Sequence, residues 1–443
     1  MEMLTTTDQA LEKKSTDAVN TGAAKDEDES DEAVTESFET KISKAVNAKD
    51  EAQTCDLIED AEDAELEYVG ENSTLMTYLM KTLLSIPFGD RLHACLDRMY
   101  RHVTDVSVLT KCIEKRFGID MEGNTPDAQY LLQALGQGAT TWGLHGAKCV
   151  YYYLLRLPSA HVEAIKSITT TDINCKGEND QGDIITMASG AAIGEDGTLS
   201  VDYDESNPKA LVKETYCDPG DAQYDLRLLD TTLVHEIGHV VDASKSPEYS
   251  EDPDFLKISD WKLEGDNPAT IASAIENYAG DSAYPSSLTT DERSIARKGA
   301  ELLIANEVTT PARIKNELDK VYRNLGKDPN GHAGDYRDSA ALAKELETST
   351  LYEHTIRSWA TKEPWMKGKR TDMNRQIHQG YEGDVWYSFG NAAYDNKISK
   401  YQLRDPGEEF AEVYATYHVG GRNKVPKHAD WFENQNLHED PSK

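Results

Sequence analysis

Between residues 73 and 170 apolar side chains recur at three- and four-residue steps: Leu75, Tyr78, Leu79, Leu83 and Leu84 form one stripe. Leu131, Leu132 and Leu135, the run Cys149 to Leu157, and Val162, Ile165 and Ile168 continue it. That period sets one face of each segment against a core, so the stretch reads as a lobe of amphipathic helices. Thr125-Pro126, a cap followed by a first-turn proline, marks a helix start. The period then shortens to two: Asp183 to Ile193 and Thr198 to Tyr203 alternate about Gly194-Glu195-Asp196-Gly197, with Leu199, Val201 and Tyr203 on one face. This predicts a β-hairpin. Helical spacing returns over Leu233 to Asp242, and polar helical stretches follow at Asn267–Tyr278, Thr290–Asn306 and Pro311–Leu325. Roughly the last 25 residues, with Gly420-Gly421, Pro426 and Pro441, read as irregular.

Residues 1 to 70 lack such patterning. They are rich in Asp, Glu, Ala, Ser and Thr, with the run Lys25-Asp26-Glu27-Asp28-Glu29-Ser30-Asp31-Glu32 and almost no aromatics. Too little apolar surface is present there to offset chain entropy, so an acidic, disordered leader is expected. It carries close to half of the net charge of −34, which follows from 46 Lys and Arg against 80 Asp and Glu in 443 residues. Such a field repels phosphate, so nucleic-acid and anionic-membrane partners are excluded while a basic polypeptide is permitted. Apolar runs are broken by Lys81 or Arg156 before they reach spanning length. The opening Met1-Glu2-Met3-Leu4-Thr5 has no basic and apolar signal pattern, so synthesis is expected in the cytoplasm with any export by a non-Sec route. Cys55, Cys95, Cys112, Cys149, Cys175 and Cys217 form no C-x-x-C pair and read as free thiols.

The chemistry-bearing segment is Leu233-Val234-His235-Glu236-Ile237-Gly238-His239-Val240-Val241-Asp242. At 100° per residue, His235, His239 and Glu236 share one side of a helix, and Leu233, Ile237, Val240 and Val241 take the other. Two imidazoles one turn apart can reach one ion, and the glutamate between them can reach a water beside it. A catalytic zinc needs a third protein ligand. The H-E-x-x-H-x-x-G-x-x-H extension is ruled out by Asp242 and Lys245. The segment Tyr401 to Tyr417 offers a helix capped by Asp405 and opened by Pro406, with Glu408 and Glu412 on one polar face. Glu408 reads either as the missing ligand or as the acid of a capping box.

His235-Glu236-Ile237-Gly238-His239, together with Tyr401, Glu408, Phe410, Ala411 and Glu412, resembles the catalytic domain of anthrax lethal factor and the related proline-proline endopeptidases. Their pattern is H-E-x-G-H, then a tyrosine seven residues ahead of a glutamate that begins E-x-x-A-E. The resemblance implies a zincin-type α+β fold, mainly helical, with a small mixed sheet beside the motif helix. It further implies that His235, His239 and Glu408 bind Zn2+, that Glu236 is the base, that Tyr401 stabilises an oxyanion and that Glu412 is a supporting carboxylate. The activity expected is that of a zinc metalloendopeptidase acting on a protein or peptide substrate. Toxin or effector delivery into another cell is one biological setting, and a non-catalytic binding protein of the same fold is the alternative.

Asp242 reads either as a carboxylate orienting a ligand imidazole or as a surface residue. Ala188, Gly190 and Ala192 fall on one alternation face, where an extended substrate can add as a strand or where small residues let the motif helix pack closely. With Glu408 169 positions beyond His239, residues 245 to 380 read as a helical insertion serving as lid, docking surface or autoinhibitory cap. The expected organisation is a leader (1–70), a helical lobe (71–180) and a catalytic lobe (181–443) holding that insertion.

Overall fold

The computed structural model describes residues 36–135, 140–170, 176–178, 184–186, 189–214, 217–308, 310–331, 336–360, 373–380 and 385–438. The chain is mainly helical, with small sheets of two or three strands.

The expected disorder fails over the second half of the leader. Helices Phe38–Ala48, Glu51–Asp60 and Asp63–Glu71 occupy it, and residues 1–35 lie outside the described part. The composition is polar, but six of its apolar residues stand at helical spacing and turn inward: Ile42 and Val46, Cys55 and Ile58, Leu66 and Val69 are buried, while Tyr68 stays exposed. Each helix start is held locally, by Ser37 on the Thr40 amide, Asp50 on the Gln53 amide and a Glu62–Glu65 capping box. A composition average cannot register six well-placed side chains.

Helix Ser73–Ser85 buries Leu75, Leu79 and Leu83 as its stripe requires, although Tyr78 stands exposed. Together with Leu144–Arg156 and the three leader helices it joins one buried cluster that runs from Ile42 to Leu437 and includes the motif helix. The hairpin forms between Ser189–Ile193 and Thr198–Asp202, with Ile193 opposite Thr198 and Gly197 in the left-handed region at φ 66°. Ser167–Thr169 adds in parallel on the far side of Thr198–Asp202. As the middle strand, Thr198–Asp202 is buried along its whole length, on both faces and not the single face its alternation suggested. The result is a small mixed sheet beside the motif helix.

The motif helix Leu228–Ala243 is buried almost all round and packs on helix Pro406–Gly420. Gly238 marks the closest approach: a Cβ there would lie 2.9 Å from the Ala411 Cα, so only glycine admits this separation. Helices at the three predicted places in the insertion, Pro268–Ala279, Thr290–Ala305 and Ile314–Asn324, build a second cluster spanning Ile271 to Trp386. An antiparallel sheet accompanies them, with Trp386–Gly390 between Trp261–Gly265 and Arg375–Gln379. The C-terminal stretch is not wholly irregular, since Ala429–Asn434 is a helix that buries Trp431 and Phe432. No described helix is long and apolar enough to cross a membrane.

Candidate metal centre

One turn of the motif helix projects His235 and His239 toward the start of helix Pro406–Gly420. Asp405 caps that second helix by accepting the Glu408 N–H at 2.8 Å. The Glu408 carboxylate does not fold back to complete a capping box; it turns to the histidines. Its Oε2 lies 3.1 Å from His235 Nε2 and 3.4 Å from His239 Nε2, and the two imidazole nitrogens are 3.1 Å apart. His235 and Glu408 are buried, while His239 is partly open to the cleft.

Three lone-pair atoms from segments far apart in sequence thus converge on one point. Ligand atoms about 2.0 Å from a common tetrahedral ion are about 3.3 Å from each other, so the observed separations suit such an ion. The donor chemistry suits it too. Burial disfavours a proton on either imidazole, yet hydrogen bonding to Glu408 and, for His235, to Glu412 holds both pKa values above the usual histidine range. Burial likewise penalises charge on Glu408, but the two imidazoles outweigh it and hold the carboxyl far below its usual range. Positive charge is favoured at the point where the three atoms meet. His235, His239 and Glu408 can therefore hold a metal ion.

Glu412, one turn beyond Glu408, places Oε1 2.9 Å from His235 Nδ1, a close ion-pair contact on the side of the ring away from the centre. Asp242 does not share this contact. It is buried, not a surface residue, and its Oδ1 accepts the Ser250 N–H at 2.8 Å. Burial raises its carboxyl to about 7, with Ser250 opposing the shift.

A cleft of about 480 Å³ opens over the centre, walled by strand residues Gly190 to Ile193, by Glu236 and by Tyr401. Glu236 is nearly enclosed, and that burial raises its carboxyl, aided by the charges of Glu408 and Glu412 and opposed by the two imidazoles. Strand Ser189–Ile193 passes directly against it: a Cβ on Gly190 would stand 2.3 Å from Glu236 Oε1. Gly190 and Ala192 both line the cleft, so the small residues face it and also permit close packing. Ala188 lies outside the described residues. Tyr401 opens the 3-10 turn Tyr401–Arg404, with its ring 5.5 Å from that of His235. The same wall carries Glu195, Asp242, Glu248 and Asp405 and, among the described residues, no Lys or Arg.

Sequence reasoning missed Arg404. It is buried behind this wall, its Nη1 donates to the Tyr401 hydroxyl, and it lies 3.5 Å from Glu408 Oε1. Its position four residues before Glu408, one helical turn, was the available signal. No protein-family model, curated protein or solved structure matches the chain.

Proposed function

We propose that the chain is a zinc-dependent metalloendopeptidase with a zincin-type centre like that of the lethal factor and proline-proline endopeptidase group. The observation that carries this reading is the meeting of His235 Nε2, His239 Nε2 and Glu408 Oε2 beside Glu236 in one cleft. Structural ion pairs also bring His and Glu together, but they have no need of a second carboxylate and a tyrosine lining the same cleft.

A zinc ion held there would supply Lewis acidity toward a peptide carbonyl and toward water. Glu236, one residue from a ligand and open to the cleft, takes the proton from the attacking water and delivers it to the leaving amine. Its burial suits this exchange, because a carboxyl raised above its usual range holds the proton long enough to pass it on. Tyr401 donates to the oxygen on which negative charge develops, an effect worth about 2.7–4 kcal/mol for one donor. Glu412 keeps His235 in the tautomer that presents Nε2.

Strand Ser189–Ile193 is paired on one side only among the described residues, so its other edge offers main-chain groups to an extended peptide. The acidic wall of Glu195, Glu248 and Asp405 complements basic side chains on that peptide. The test is cleavage of a mixed peptide library by the wild-type protein and by Glu236→Gln. Cleavage by the first alone is expected. Equal cleavage by both removes Glu236 from the mechanism, and cleavage by neither favours a non-catalytic binding protein.

A further inference from the structure

The two oxygens of Glu408 face different partners: Oε2 looks to the histidines and Oε1 to Arg404 Nη1 at 3.5 Å. A carboxylate with both oxygens available can close on a metal through both, and that fills the position a catalytic centre keeps open. An arginine carries donors only, so it can hold one oxygen aside without competing for the ion. The same Nη1 donates to the Tyr401 hydroxyl, and the guanidinium carbon lies 4.4 Å from the centroid of the Tyr401 ring. Because arginine cannot accept, the Tyr401 oxygen must be the acceptor in that contact, and its own O–H is directed elsewhere. Arg404 is itself fixed: its side chain is buried and its carbonyl accepts from His378 Nε2 at 2.6 Å.

We propose that Arg404 is a positioning residue that restricts Glu408 to one metal-facing oxygen and sets the Tyr401 hydroxyl as a donor toward substrate. Its catalytic half rests on the proposed peptidase reading; its metal half rests on the donor set alone. A plain structural anchor at this helix end would affect thermal stability and leave coordination and turnover alone, which separates the two roles. Lysine is no full equivalent, since a compact ammonium on a flexible stem does not lie over the Tyr401 ring as the planar guanidinium does while its Nη1 meets both oxygens.

The experiment loads full-length protein with Co(II), whose visible absorption is strong in four-coordinate sites and severalfold weaker in five-coordinate ones, and compares wild type with Arg404→Met and Arg404→Lys. Arg404→Met should bind cobalt with severalfold lower absorbance per ion and lose about 10²-fold in kcat with little change in KM. Arg404→Lys should fall between, and adding Tyr401→Phe to Arg404→Met should cost less than the product of the separate losses. An unchanged spectrum in Arg404→Met with kcat within about threefold of wild type overturns the proposal. If Arg404→Met does not fold, a wild-type spectrum and kcat in Arg404→Lys overturn it as well. Wild-type protein that binds cobalt but cleaves no peptide overturns the proposed function and leaves the spectrum to decide Arg404; protein that takes no cobalt overturns both.

Discussion

Gly190 and Glu236 meet so closely that the added methyl of an alanine would sit 2.3 Å from the carboxylate oxygen. The backbone at Gly190 is not in the left-handed region, so Gly190→Ala should fold; the carboxylate must swing away instead. We expect zinc content to be retained and kcat to fall roughly 10²-fold, the cost of displacing a catalytic group by about 1 Å. Unaltered turnover would show that Glu236 does not act from this position. His235, Glu236 and His239 were legible because a helix fixes their mutual directions from spacing alone. Glu408 and Glu412 were legible as two acids on one face of a capped helix, the choice of Glu408 as ligand and the role of Tyr401 came through the resemblance, and the structure brings all three to the histidines. Asp242 was misread for the complementary reason: the helical period gives its direction but not the Ser250 amide that lies there.

Among the elements, the three leader helices and the insertion sheet depart furthest from the pattern reading. Deleting residues 36–60 removes Ile42, Val46, Cys55 and Ile58 from the cluster that also contains the motif helix. At about 1.5–3 kcal/mol for each large buried aliphatic, the truncated protein should lose several kcal/mol and melt well below the full chain. Thermal unfolding decides this, and an unchanged Tm contradicts the packing described. The insertion sheet escaped notice because its strands lack apolar alternation: Gln376, His378 and Ser388 are buried, and they are held by Asn391, the Arg404 carbonyl and Glu264. That sheet does not hang over the cleft as a separate lid. His378 bonds Arg404, Trp261 Nε1 donates to Glu409, and Leu403 packs with Trp261 and Phe389, so the sheet braces the segment from Tyr401 to Glu409.

Over the whole molecule, acidity acts on stability through buried neutral histidines. Burial lowers His161 to about 4 and His418 to about 3; the first pairs with the Tyr414 hydroxyl and the second with the Leu437 carbonyl. The unfolded chain binds these protons near pH 6.5 and the folded chain does not, so stability is full above about 6.5 and falls as the pH drops toward 4. Each such group contributes up to about 1.4 kcal/mol per pH unit in that window. Asp242, whose carboxyl is raised to about 7, contributes with the opposite sign in this window, so the expected result is a difference: from pH 6.5 to 5 the melting temperature of the wild type falls relative to that of His418→Gln. A difference that stays constant with pH contradicts it. The central claim, that His235 and His239 share one ion with a glutamate 169 residues away, is tested most directly by zinc content after dialysis against a weak chelator. Wild type and Glu236→Gln should each retain about one zinc per chain, and Glu408→Ala should lose most of it. Full zinc in Glu408→Ala, or none in the wild type, would contradict the three-ligand centre.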